Sequence, residues 1–366
     1  MTPVYICCGA GGVGKTTSSA GLALAQARAG ARVVVLTIDP ARRLADALGV
    51  RVGNEPSPVL LPPELEAKGS LHALMLDPKE TFDRVVSRFA PTPEARDRIY
   101  KNHIYQHASA NLAGSQEYMA MERLYELARE DHWDCVVLDT PPTHHALDFL
   151  AAPDRMANLM DEGVMRWIVL PASRGGWRML ERGSEVLASV LERMVGNSTI
   201  ADIAEFFTAF QALWDGFRER SIEVRTLLSA PSTKFLLVTT PAPAARAEAR
   251  LFVEQLRTHR QPLAGFLVNR CLVAPPNPGA PSFGPDPGLA GWAESVAELT
   301  ALPERQRARV EVQEANIAEL VRGTTAPVWR IPDLGSAVHD LGGIIRISGY
   351  VGAVVPEWGT GLGGTS

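Results

Sequence analysis

The sequence predicts an α/β fold, a mainly parallel, doubly wound sheet with an inserted helical subdomain. Two observations carry this. Short apolar runs alternate with helical pattern through the first fifty residues or so and again after residue 232, as in sheets whose parallel strands are joined by helices. From Leu150 to Ser232 no strand signal appears, and the periodicity becomes helical. The bulk numbers fit a folded chain. There are 366 residues, 46% hydrophobic and 21% charged, enough for one large domain or two.

The elements follow in order. Val4–Cys8 is an apolar strand, Lys15–Ala29 a helix that Gly30 stops, and 32–38 a second strand, which together make a βαβ unit. Further strands are expected at 71–76, 135–138, 235–239, 265–269 and 328–331. A nucleotide-binding core then takes about 1–77, 130–150 and 232–350, and the helical subdomain takes 78–129 and 151–231, all within a single domain 1–366. The subdomain's clearest helix is capped by Thr199 with Asp202 three residues on. Ile200, Ile203, Phe207, Phe210, Trp214, Phe217, Val224 and Leu228 recur along it at three- and four-residue steps, broken at Ser221. Met156, Met160, Met165, Met179 and Met194 also fall here; such side chains suit helix packing first and a groove for varied apolar ligands second. Residues 275–291 read as a Pro/Gly-rich loop and 359–366 as a flexible tail.

Composition excludes several classes. A net charge of -5 gives no general attraction to nucleic acid or to an anionic membrane, so no nucleic-acid partner is expected. Cys7, Cys8, Cys135 and Cys271 contain no C-x-x-C pair and three lie in apolar strands, which suggests buried thiols in a reducing compartment. With no leader-like start and no uncharged run of about 18 residues, the expected location is cytoplasmic.

The most specific signal is Gly9-Ala10-Gly11-Gly12-Val13-Gly14-Lys15-Thr16, which satisfies G-x-x-x-x-G-K-[ST] at every required position between a strand and a helix. In that pattern the backbone of Gly11, Gly12, Val13 and Gly14, continuing into Thr17, cradles phosphates; Lys15 adds a full positive charge and the Thr16 hydroxyl ligates Mg²⁺. Asp39 ends the second strand, Pro40 is expected to sit at the first position of a helix, and Asp46 lies two helical turns on. A carboxylate at Asp39 can hold Mg²⁺ through water, and one at Asp46 can orient an attacking water. Asp139, closing the strand opposite the loop, has the Walker B arrangement, which makes it a third candidate acid at the metal. His144 and His145 read as capping or packing residues rather than a general base.

The ordered motifs are the glycine-rich loop, Thr37-Ile38-Asp39-Pro40-Ala41-Arg42-Arg43-Leu44-Ala45-Asp46, and Leu138-Asp139-Thr140-Pro141-Pro142-Thr143-His144. They resemble the P-loop, switch I and switch II of the arsenite-pump ATPase family, P-loop NTPases of the SIMIBI type. That family also contains the eukaryotic ATPase that targets tail-anchored membrane proteins. Residues 37–48, 114–118 and 139–150 look closest to its bacterial ArsA-like branch, and the resemblance spans about 5–341. It implies an ATP- and Mg²⁺-dependent hydrolase in which Lys15 and Thr16 bind phosphate and metal, Asp46 activates water and Asp139 couples the γ-phosphate to helix movement. It further implies that Asn269 contacts adenine beside a loop at Pro332-Asp333-Leu334, and that the 114–118 segment lies at a subunit interface. The expected partners are a second copy or a related ATPase in a dimer, and a hydrophobic or membrane-protein client.

Three departures qualify that reading. Ala10 stands where paired members carry a second lysine, leaving Arg42 and Arg43 as candidate substitutes. The zinc-binding cysteine pair of the eukaryotic dimer is missing, so a dimer is held otherwise. No metalloid-binding cysteine cluster is recognisable, so arsenite is not an expected effector. Two other readings stay open from the residues: a P-loop ligase or kinase acting on a small metabolite, and a low-activity subunit of an ATPase heterodimer.

Overall fold

A computed structural model describes residues 1–39, 41–103, 105–106, 115–141, 213–276, 288 and 291–352. Its centre is an eight-stranded sheet: β1 (Val4–Cys8), β2 (Arg32–Thr37), β3 (Ser57–Pro58), β4 (Ser70–Met75), β5 (Cys135–Asp139), β6 (Thr233–Thr239), β7 (Leu263–Cys271) and β8 (Val328–Pro332). Their order is β3-β4-β2-β5-β1-β6-β7-β8, and every pairing is parallel except β3 with β4. All the expected strands form, with ends shifted by at most two residues. The two-residue edge strand β3 was not legible, because it contains a proline and has no length over which to alternate.

The strands alternate sides, as pleated backbone requires. Val4, Ile6 and Cys8 of β1 enter one apolar core and Tyr5 and Cys7 the other. The second core is closed by α1 (Lys15–Ala29), α2 (Arg43–Leu48) and α9 (Leu341–Gly352). The first is closed by α3 (Pro78–Phe89), α5 (Ser115–Arg129), α6 (Trp214–Ser229), α7 (Pro243–Thr258) and the end of α8 (Trp292–Leu320), with Ile99 of α4 (Pro93–Lys101) joining it. Both faces of the sheet are therefore covered. The described helices of the expected helical subdomain share this first core with the strands.

Helix starts obey local chemistry. Asp77 and Thr92 accept from the backbone N–H groups of Glu80 and Ala95, at 2.9 and 3.2 Å, and Pro78, Pro93 and Pro243 occupy first-turn positions. Pro40 lies outside the described residues; the helix of switch I begins at Arg43, with Arg42 as its left-handed cap (φ 55), so the expectation of a helix opening at Pro40 is corrected. In α6 the apolar pattern breaks at Ser221 but the helix does not, and the buried Ser221 hydroxyl is satisfied within it by donating to the Phe217 carbonyl at 2.8 Å. Residues 199–212, the five methionines of the insertion, His144, His145 and the 359–366 tail lie outside the described residues, as does most of the 275–291 loop. All four cysteines are free and buried.

One polar cluster ties α3, α5 and α6 together. The Glu122 carboxylate, fully buried on α5, stands 3.6 Å from Arg88 and 3.5 Å from Arg220. Burial pushes its pKa up to about 7 despite the two guanidinium groups. Among the described residues no helix is long and apolar enough to cross a membrane.

Helix α1 carries small residues around its circumference because it is sandwiched between the sheet and α9. A Cβ added at Gly21 would stand 2.5 Å from Ile347 Cγ2 on α9. Gly21→Val is therefore expected to cost about 1–3 kcal/mol through overpacking, read as a lower urea midpoint. A midpoint within error of the parent would mean that the two helices do not pack in this way.

Candidate functional site

The chain order reverses around β1: the strands built before residue 140 lie on one side, and β6, β7 and β8 on the other. Ligand sites in open α/β sheets form at such a switch point, beyond the carboxyl ends of the strands. The glycine-rich loop leaves β1 at this point. Gly12 and Gly14 adopt φ of 74° and 95°, which L side chains rarely tolerate, and Gly14 caps α1. Beside Gly12 there is open space, whereas a Cβ at Gly14 would stand 2.2 Å from Asn269 Nδ2. Val13 turns its side chain into the core. Lys15 arches back over the loop, its Nζ donating to the Ala10 carbonyl at 2.7 Å. Burial lowers the Lys15 pKa, an effect that the carboxylates of Asp139 and Asp39 oppose.

Asp139, at the end of β5, is completely buried beneath the loop. Its Oδ2 accepts from Thr16 Oγ1 at 2.8 Å and Thr37 Oγ1 at 3.1 Å, and its Oδ1 from Ser19 Oγ at 3.4 Å. Burial raises its pKa to about 6, against the pull of the two threonine hydroxyls and the Lys15 charge. Thr37 and Ser19 were not singled out from the sequence; a threonine ending a strand two residues before Asp39 was the only available signal for the first.

Switch I closes one side. Asp39 Oδ1 accepts from the Ala41 N–H at 2.9 Å, and its carboxylate lies 3.7 Å from Arg43. A cleft of about 270 Å³ is lined by Gly12, Gly14, Lys15, Thr16, Thr17, Asp39, Arg43, Asp46 and Thr140, with Pro141, Arg270, Val338 and His339 at its margin. The sequence candidates Gly12, Gly14, Lys15, Thr16 and Thr17, with Asp39 and Asp46, therefore meet there. Asp139 forms the polar layer below.

The base-side candidates sit apart from this cleft. Asn269, buried near the end of β7, donates from Nδ2 to the Val13 carbonyl at 2.9 Å, and its Oδ1 accepts from the Arg270 N–H at 2.9 Å. Its amide is thus committed in part to the phosphate loop. Pro332 pairs with Cys271 at the end of β8. Asp333 donates its N–H to Cys271 O at 2.8 Å and accepts from the Gly335 N–H at 3.0 Å. Asp333 borders a second cavity, of about 610 Å³, that also contains Arg270. Arg270, Val338 and His339 were not read from the sequence; they reach the site only because β7, β8 and α9 converge.

The donor set suits a hard cation. The Thr16 hydroxyl and the carboxylates of Asp39 and Asp139 are all oxygen ligands, and among the described residues no three His, Cys, Asp or Glu side chains converge. Magnesium is ordinarily held in this way, by a few protein oxygens together with phosphate and water.

A phosphate loop at the switch point of a parallel sheet, with a buried strand-end aspartate beneath its threonine, defines a P-loop nucleotide-binding protein. The family described as Anion-transporting ATPase matches residues 2–278. The chain belongs to that family and is an ATP hydrolase. Relatives include "ATPase ASNA1 homolog 1" of Paramecium tetraurelia, 24% identical over 72% of this chain and 73% of the relative, and "ATPase get3" of Schizosaccharomyces japonicus, 25% identical over 73% and 74%. "Protein Rv2184c" of Mycobacterium tuberculosis is 29% identical over 80% of this chain and 65% of the relative.

The buried Asp139 makes stability depend on pH. Because its folded pKa is near 6 against an ordinary 3.8, the native state keeps a proton that the unfolded chain has shed between those values. Stability from this group is full below about pH 4 and falls as pH rises through 6. Asp139→Asn keeps the shape and removes the buried charge, with Oδ1 serving the threonines. Without nucleotide at pH 8 the variant is expected to be more stable by at most roughly 3 kcal/mol, and equal to the parent at pH 4. Thermal unfolding across that range checks it; a variant less stable at pH 8 refutes it.

Proposed function

We propose that this ATPase is a nucleotide-driven switch whose hydrolysis controls binding and release of a hydrophobic or membrane-associated protein. The observation that carries this reading is the meeting of Lys15, Thr16, Asp39 and Asp46 around one cleft, above an aspartate shared by the loop and the switch I strand. The backbone of Gly11 to Gly14 and the Thr17 region cradle the phosphates. Lys15 leaves the Ala10 carbonyl to meet the β- and γ-phosphate oxygens. Thr16 would ligate magnesium, with Asp39 and Asp139 holding it through water, and the metal when bound would supply charge neutralisation at the phosphates. Asp46 orients the water that attacks, a positioning task that needs no strong base.

The switch follows from who shares Asp139. Were Thr16 Oγ1 to ligate a metal through a lone pair, its proton would stay donated to the Asp139 carboxylate that Thr37 also binds, so the metal ligand would be tied through Asp139 to the strand end that carries switch I. Gln116 at the start of α5 reaches the Ile38 carbonyl at 3.5 Å and extends that tie to the helices on that face. The core 1–77, 130–150 and 232–350 thereby drives the helical part at 78–129 and 151–231. With Ala10 in place of a second lysine, Arg43 supplies the further cation, already beside Asp39 in the cleft. Asn269, Pro332 and Asp333 bound the adenine side. The working form is a cytoplasmic dimer, with itself or a related ATPase.

Calorimetry with Mg·ATP on the whole chain is the first test. Lys15→Ala is expected to weaken uptake at least a hundredfold; unaltered uptake ends the reading. Asp46→Asn should retain ATP but lose at least a hundredfold in turnover, and trap the state that binds an apolar fluorescent probe. Unchanged turnover would remove Asp46 from the mechanism, and probe binding independent of nucleotide would remove the switch.

A further inference from the structure

We propose that Arg270 is a nucleotide-positioning residue whose guanidinium lies flat against the purine ring. This rests on the nucleotide-site reading above and goes beyond it, since that reading gives Arg270 no part in binding. The backbone gives the first indication. The pairing of β7 with β8 loses register between Val268 and Cys271, and within that interval Arg270 takes φ 58, the left-handed region. A bulge beside a site re-aims a side chain, and non-glycine residues held in strained backbone conformations cluster at ligand sites.

The second indication is position. Asn269 is fastened to the Val13 carbonyl and to the Arg270 N–H, so the root of Arg270 is fixed to the phosphate loop. The cavity behind is equally firm: the buried Gln313 amide accepts from the Leu272 N–H at 2.7 Å and donates to its carbonyl at 3.2 Å. Arg270 is the residue common to the phosphate cleft and this larger cavity, which Pro241, Leu272 and Val312 give apolar walls. Whatever joins a triphosphate in the first to a base in the second passes its guanidinium.

The third is availability. Among the described residues the Arg270 side chain has no ion pair or hydrogen bond, while Arg32, Arg84, Arg123, Arg250 and Arg330 all have carboxylate partners. The phosphate cleft already holds Lys15 and Arg43. A planar, weakly hydrated cation beside an apolar cavity is suited to the face of an aromatic ring.

The test compares wild type, Arg270→Ala and Arg270→Gly, each full length, by calorimetry with Mg·ATP, Mg·ADP and Mg·tripolyphosphate and by steady-state hydrolysis. Glycine suits the left-handed backbone, so that variant should unfold at or above the parent temperature and separates loss of contact from loss of fold. Both variants are expected to bind ATP and ADP roughly two- to thirty-fold more weakly, the range of a cation–π contact. Tripolyphosphate affinity should change less than twofold, and KM should rise by the same factor as the affinity falls while kcat changes little. Unchanged ATP affinity in both variants overturns the proposal. So does an equal loss for tripolyphosphate, or a fall in kcat at constant KM, either of which would make Arg270 a phosphate residue. Failure of the wild type to take up ATP would instead strike the nucleotide-site reading itself.

Discussion

The interaction on which the rest depends is the hydrogen bonding of one buried carboxylate to two threonines. Asp139 ends β5, Thr37 ends β2, and Thr16 opens α1; the three come from the central strands and the phosphate loop, and they meet only because β5 lies between β1 and β2. A charge in that position is expensive, and burial raises its pKa accordingly. The arrangement is tolerable because hydroxyl donors and a nearby lysine offset the loss of water. It also places the cost where a metal and its phosphates would relieve it.

Around that contact the fold supplies rigidity on one side and adjustable parts on the other. The glycine-rich loop is clamped from behind by Asn269 and from within by Val13, and α1 is locked between the sheet and α9 through the close approach at Gly21. Thr140 fixes the turn after β5 by donating to the Cys7 carbonyl at 2.8 Å. Switch I is held more lightly. Its Asp39 and Arg43 are joined by one partly exposed ion pair, and its helix α2 is six residues long. A stiff cradle with a loosely tied flank is the mechanical condition for a loop that responds to a terminal phosphate.

The opposite face of the sheet is packed as one block. Helices α3, α5 and α6 share one apolar core with the strands, and Phe217 packs with Phe82, Phe89 and Tyr118 at ring distances of 5.8 to 6.0 Å. The buried Glu122 with Arg88 and Arg220 lies among them. Close packing of this kind transmits a displacement rather than absorbing it. The contact of Gln116 with Ile38 sets that block against switch I.

Sequence alone determined what local chemistry encodes. The eight residues from Gly9 to Thr16, the apolar runs of the buried strands and the stop at Gly30 each carry their meaning within a short window, since backbone freedom, side-chain period and helix capping are local properties. The acids Asp39, Asp46 and Asp139 were legible because each follows a strand or an ordered motif. Tertiary structure decided the rest. The edge strand β3, helix α8 running through Pro303, the left-handed Arg42, and the partnerships of Asp139 with Thr37 and of Asn269 with Val13 join residues far apart in the chain or depend on packing that overrides propensity. Arg270 belongs with them. Its neighbours in sequence identify only a strand end; the bulge that turns it and the two cavities it borders exist only once β7, β8 and α8 have assembled.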